Sequence, residues 1–146
     1  MPVYTVYFQK DRVSQETKGG IARAITRIHN ELTGTHSFLA QVIFLEVASE
    51  NFFIGGNPLS VDNIFVHGLT RSGRSPECKR ELTDRIVEAV ADVMLTERRH
   101  VWTYIDERPA GQMAEYGRIL PEPGSEAAWV EALPPDDRAF MESMAG

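Results

Sequence analysis

Apolar residues recur along this chain in two rhythms, and each rhythm appears twice. The opening stretch Pro2-Val3-Tyr4-Thr5-Val6-Tyr7-Phe8 is followed by Ile21, Ile25, Ile28 and Leu32 at helical spacing, then by an apolar run from Leu39 to Val47. The same succession returns as Ile64–Leu69, then Leu82, Ile86, Val90 and Val93, then a fourth run near 100–107. A 3.6-residue period marks a helix with one buried face, and short runs apolar at successive positions mark strands buried on both faces. The pattern predicts strands over roughly 2–8, 39–47, 63–70 and 100–107, and helices over roughly 14–33 and 75–95. Ser14 and Ser75 stand where N-caps belong, and Pro76 takes a first helical position, where its missing N–H costs nothing.

The two halves also match residue for residue. Residues 2–57 and 63–118 align without a gap at an offset of 61: Ser14-x-Glu16-x-Lys18 returns as Ser75-x-Glu77-x-Lys79, Glu46 as Glu107 and Gly56 as Gly117. Strand–helix–strand repeated twice implies two right-handed β-α-β units. The expected fold is α/β (α+β in some schemes), a four-stranded sheet with both helices on one face. Its other face, still apolar, needs a partner. One domain spanning 1–146 is expected, with 119–146 as an appendage in which Pro121, Pro123, Pro134 and Pro135 forbid a long helix. Within it Asp136–Met144 suits a short helix, and Trp129 and Phe140 are the expected anchors, to the body or to a neighbouring subunit.

Composition narrows the function classes. With 146 residues and a net charge of −6, the chain is one globular unit without the broad basic face that phosphate backbones require. Its single cysteine, Cys78, excludes an internal disulfide, and no Cys/His cluster has zinc-ligand spacing. No leader pattern or membrane-length apolar run is present, so a cytoplasmic location is expected.

Several residues carry chemistry. Pro2 lies directly behind the initiator methionine; trimming of Met1 would expose a secondary amine whose proton affinity burial and carboxylates can tune. The plainer reading is a proline tolerated at a strand start. Tyr104 and Glu115 stand where the first half has Ile43 and Ile54, so a phenol and a carboxylate replace apolar groups in matching elements. Arg71 and Arg74 precede the cap at Ser75, a place the helix dipole makes uncongenial to cations unless a small anion sits between them. Ordinary surface charge is the alternative. His29 lies at the edge of the first helix's apolar face, where a packed histidine is the simpler reading. His36, His67 and His100 read as structural, and Cys78, in the first turn of the second helix, as packing.

Together these residues resemble the tautomerase superfamily, and more narrowly the cis-3-chloroacrylic acid dehalogenase family. The likeness runs through Met1-Pro2-Val3-Tyr4, Leu32-Thr33-Gly34-Thr35 with Phe38-Leu39-Ala40-Gln41-Val42, and Ile64-Phe65-Val66-His67-Gly68-Leu69. It continues in Arg71-Ser72-Gly73-Arg74-Ser75, Glu115-Tyr116-Gly117-Arg118 and Asp137-Arg138-Ala139-Phe140-Met141-Glu142. The resemblance implies a six-residue site of Pro2, His29, Arg71, Arg74, Tyr104 and Glu115, flanked by Thr35 and Leu39. It implies hydrolytic dehalogenation or hydration of a cis-3-haloacrylate to malonate semialdehyde, with terminal Pro2 as general acid, no metal or organic cofactor, and a homotrimer. Arg71, Arg74 and His29 would hold the substrate carboxylate. Two other readings remain on this scaffold: a tautomerase of enol or 2-keto acids with Pro2 as base, and a non-catalytic binding protein.

Overall fold

The protein, seen in a computed structural model, is described over residues 2–145, so the expected trimming of Met1 lies outside the described residues. Strand β1 (Val3–Gln9), helix α1 (Gln15–Thr33) and strand β2 (Gln41–Val47) form the first unit, followed by a small hairpin of β3 (Phe53–Ile54) and β4 (Asn57–Pro58). The second unit repeats this with β5 (Ile64–Arg71), α2 (Pro76–Met94), β6 (Val101–Arg108) and a hairpin of β7 (Ala114–Glu115) and β8 (Arg118–Ile119). Short helices α3 (Glu126–Glu131) and α4 (Pro135–Ser143) follow. The sheet order is β2-β1-β5-β6, parallel within each unit and antiparallel at the β1–β5 seam.

Local chemistry fixes the helix starts. Ser14 Oγ accepts the Thr17 N–H and Ser75 Oγ accepts the Cys78 N–H, both at 3.1 Å. Each such cap stabilises its helix by about 1 kcal/mol. The sheet turns Tyr4, Val6, Phe8, Ile64, Val66 and Val101 inward against Ile21, Ile25, Ile28, Leu82, Ile86 and Val90 of the helices. This single inner layer is the main core, and it is the mixed α/β arrangement the pattern predicts.

The outer sheet face is apolar and without cover inside the chain, as the pattern predicts. Ile43, Leu45, Trp102 and Tyr104 are exposed there in the single chain. Alternation along β2 and β6 sends every second residue away from the helices, where the fold itself offers no cover.

Elements recur at a nearly constant interval. The two long helices, each 19 residues, begin at 15 and 76, and the hairpins at 53 and 114, both intervals being 61. The first strands depart from it. Val3 pairs with Gln41 and Phe65 with Trp102, so residue 3 corresponds to 65, one more than the 61 that separates 41 from 102. The ungapped match is therefore corrected by one extra residue before α1, in the turn where Asp11 takes φ 64°. The counterpart of Pro2 becomes Ile64 rather than Asn63.

The C-terminal segment has its own small core, with Leu133 and Met141 packed on Leu39, Ala110 and Leu120. Trp129 anchors it as expected, its indole donating to the Ile119 carbonyl at 3.1 Å. Phe140 stays outside that core. Helix α4 turns Met141 inward, which leaves Phe140 on the surface, edge-on to Tyr116. Among the described residues no helix is long and apolar enough to cross a membrane.

Candidate active site

Five of the six sequence-predicted residues gather at one end of the sheet. The β1–β5 register sets Val3 opposite Leu69, which brings the start of β1 level with the end of β5. Pro2 is buried there, its carbonyl accepting the Gln41 N–H at 3.0 Å. It shares a cleft of about 420 Å³ with Phe38, Leu39, Gln41, Glu115 and Phe140. Glu115 arrives on the β7–β8 hairpin, whose tight turn puts Tyr116 and Gly117 at φ 50° and 75°. The Tyr116 hydroxyl donates to the Phe38 carbonyl and ties that hairpin to the cleft's opposite wall. Burial raises the Glu115 carboxyl above its usual range, with the nearby Arg71 cation pulling the other way.

Beside this cleft His29, Thr35, Arg71, Arg74 and Cys78 line a smaller cavity of about 10 Å³, the room of one water molecule. Gly73, at φ 106°, makes the bend that separates the two arginines, a conformation few side chains adopt. Arg71 is 3% exposed, and Arg74 more open at 23%. The Cys78 thiol donates weakly to the Leu32 carbonyl at 3.7 Å, which accords with packing.

His29 is more than a packed side chain satisfied by backbone. The hydroxyl of Tyr4 lies 2.8 Å from its Nδ1, and both residues are buried. Gly68 makes room for the Tyr4 ring: a Cβ there would stand 2.6 Å from it. Burial holds the phenol well above its ordinary pKa, so it keeps its proton. Among the described residues Tyr4 OH has this one partner, and a buried hydroxyl with one partner is best satisfied by donating. Nδ1 is then the acceptor and Nε2 carries the ring proton. Burial first, then the Arg74 and Arg71 cations, lower the imidazole pKa to about 3. The ring is neutral at pH 7 and still a donor.

Tyr104 stands apart. It projects from β6 on the outer sheet face, 58% exposed, edge-on to Phe65 at 5.1 Å between ring centroids. With Phe53, Ile54, Asn63 and Trp102 it lines a second, mainly apolar cleft of about 210 Å³. Within the chain it lines a different cleft from Pro2.

Three contacts were not foreseen. Tyr4 reads from sequence as strand core because its polar tip shows nothing in an apolar run. His67 finds a partner across the sheet in Asp106, at 2.7 Å. Glu126, in a segment punctuated by prolines, reads as a surface acid, yet its carboxylate meets the Arg71 guanidinium and lies 3.7 Å from that of Arg74. The available signal for Glu126 was the unmatched positive charge of Arg71-Ser72-Gly73-Arg74.

The chain matches, over residues 1–132, the family described as putative oxalocrotonate tautomerase enzyme. Among solved structures, a member of the cis-3-chloroacrylic acid dehalogenase family is 32% identical with a TM-score of 0.92, the match covering 97% of this chain and 99% of that one. A fused 4-OT solved as a symmetric trimer is 16% identical with a TM-score of 0.72, covering 81% of this chain and 94% of that one. FG41 malonate semialdehyde decarboxylase inhibited by 3-bromopropiolate is 18% identical with a TM-score of 0.68, covering 90% and 99%. These last two share the fold. No curated protein matches in sequence.

Proposed function

For a chain that belongs to the tautomerase superfamily, and within it to the cis-3-chloroacrylic acid dehalogenase family, we propose cofactor-independent addition of water to a short unsaturated acid, with a cis-3-haloacrylate as substrate. The observation that carries this reading is the shared cleft. Pro2 and Glu115 line one space, and Arg71, Arg74 and His29 line the cavity beside it.

The proposed chemistry follows from the groups. Arg71 and Arg74 bind the substrate carboxylate with charge-assisted bonds, and neutral His29 adds an Nε2–H donor. Together they draw electron density from C3. Glu115 takes a proton from water as its oxygen attacks C3, with Tyr104 orienting that water. The amine of Pro2, cationic once Met1 is removed and with Glu115 beside it, delivers a proton to C2. The resulting 3-halo-3-hydroxypropanoate expels halide and a proton, and its C3 becomes the aldehyde of malonate semialdehyde. Water supplies the oxygen, and no redox change occurs.

Tyr104 enters this scheme from a neighbouring protomer. Its place on an exposed apolar sheet face supports a homotrimer in which that face is covered and one chain's phenol meets the next chain's cleft. Sedimentation showing a stable monomer at micromolar concentration would reject the assembly. Cis- and trans-3-haloacrylates, a propynoate and an enol-pyruvate derivative test the reaction together. The expected result is halide release and malonate semialdehyde from the cis-haloacrylate; tautomerisation of the enol without halide release would move the assignment to a proline base.

A further inference from the structure

The two arginines share their charge with a carboxylate from their own chain. Glu126 Oε1 contacts Nη2 of Arg71 and lies 3.7 Å from Nη2 of Arg74, while Oε2 accepts the Gly124 N–H at 2.7 Å. Nη1 of Arg71 donates to the Pro121 carbonyl. The stretch from Pro121 to Glu126 thus grips the terminal nitrogens of Arg71 and leaves its Nε–H buried without a partner. A buried donor in that state is poised for an incoming acceptor, because leaving it unmade is costly.

The charged side chains around the cavity leave it with a net positive charge. Arg71 and Arg74 bring two positive charges, and Glu126 removes one. Glu126 is held ionised: burial works to raise its pKa, but bonds from backbone amides and Arg71 outweigh burial and keep it below the usual range. Lys79 also lines the cavity, but Glu107 cancels it at 2.8 Å. His29 is neutral, and in the adjoining cleft the proposed Pro2 cation and Glu115 cancel. One net positive charge remains.

We propose that Glu126 is a specificity-determining residue: by neutralising one of the two arginine charges and fixing Arg71, it tunes the site to substrates with a single carboxylate and disfavours dicarboxylates of the same shape. This rests on the carboxylate-site reading above. Without Glu126 the site would carry two net positive charges and suit a dianion, since charges a few ångströms apart in a sheltered site interact far more strongly than in water.

Two ligands of nearly equal shape test it: cis-2-butenoate, a monoanion, and cis-butenedioate, a dianion once both carboxyls are ionised. Their affinities would be measured by calorimetry at mildly alkaline pH on the full-length protein and on Glu126→Gln, Arg74→Gln and Arg71→Ala. Wild type should prefer the monoanion. Glu126→Gln should shift the ratio toward the dianion by about tenfold or more, and Arg74→Gln should shift it the opposite way. Arg74→Gln keeps the test informative if Glu126→Gln folds poorly. Equal weakening of both ligands by Glu126→Gln, with the ratio unchanged, would make Glu126 merely structural and overturn the proposal, while loss of both ligands in Arg71→Ala would leave the carboxylate site standing. If wild type binds neither ligand and Arg71→Ala changes nothing, the carboxylate-site reading falls and the proposal falls with it.

Discussion

Two clefts of this molecule are built alike and equipped differently. In each, a two-residue-turn hairpin from one unit leans over the strands of the other. The first sets Glu115 beside Pro2; the second sets Ile54 beside Asn63, Trp102 and Tyr104. At the second, the chain runs on through Asn63, whose N–H is taken up by Gln9 Oε1 at 3.0 Å. The architecture of a cleft is therefore present twice and its proposed reactive groups once. The difference separates what the fold supplies, a sheltered space at a strand start, from what single residues supply.

The largest effect on this comparison should come from Pro2. Pro2→Ala is expected to lower turnover by at least about 10²-fold, the scale of a lost general acid or base, and protein retaining Met1 should be equally poor. Near-normal turnover by either, with intact mass establishing the chain end, would remove the distinction between the clefts.

Glu115→Gln should cost about 10²-fold in halide release yet spare binding of a competitive carboxylate. It should also change the pH profile. Burial raises the Glu115 pKa above 4.5, so activity that needs its anion should fall as pH drops through that raised value. The variant should lack this acid limb, and an unchanged limb would assign it to another group.

Tyr104→Phe should lose roughly tenfold, less than either, because it orients water without carrying the proton. Mixed oligomers of Tyr104→Phe and Pro2→Ala chains should be more active than the average of the two homo-oligomers, because some sites then pair an intact Pro2 with an intact Tyr104. If mixing gives no more than that average, Tyr104 does not serve a neighbour's cleft.

Ile54→Glu gives the second cleft the carboxylate it lacks. No new activity is expected, because the chain is continuous into β5 and offers no free amine there; instead the oligomer should weaken at neutral pH, since a carboxylate would be forced into an apolar contact. Sedimentation across pH would register the change.

The smallest effect concerns His29. Its folded pKa of about 3 lies below the ordinary value of 6.5, so between those values the unfolded chain binds a proton that the folded chain refuses. Stability supplied by neutral His29 is complete above about 6.5 and drains away as pH falls towards 3. His29→Gln should flatten this part of the stability curve in acid-denaturation measurements.

Much of this architecture was legible in the sequence because it is written in repeated local signals. The caps at Ser14 and Ser75 and the spacing of Ile21, Ile25 and Ile28 need no knowledge of distant residues. The one-residue slip before α1 was not legible, since Asp11 in a tight turn has no apolar pattern to betray it. Pro2, His29, Arg71, Arg74 and Glu115 could be named, but not the partners that define their states. Tyr4 meets His29 and Glu126 meets Arg71 only through the fold. Bulk alone did not show that Met141 rather than Phe140 takes the inner place, which the start of α4 decides.

The antiparallel seam, where Val6 lies opposite Val66, has a consequence for biosynthesis. Strand β1 emerges from the ribosome first, and β2 can cover one of its edges as soon as the first unit is made. Its other edge stays open until β5 follows, dozens of residues later. Through that interval the open edge of a nascent chain is a template for any extended segment, including the same edge on a neighbouring nascent chain. Translation speed between the two units should therefore govern how much of the protein reaches the soluble fraction, and a pause ahead of β5 should be more harmful than one after it.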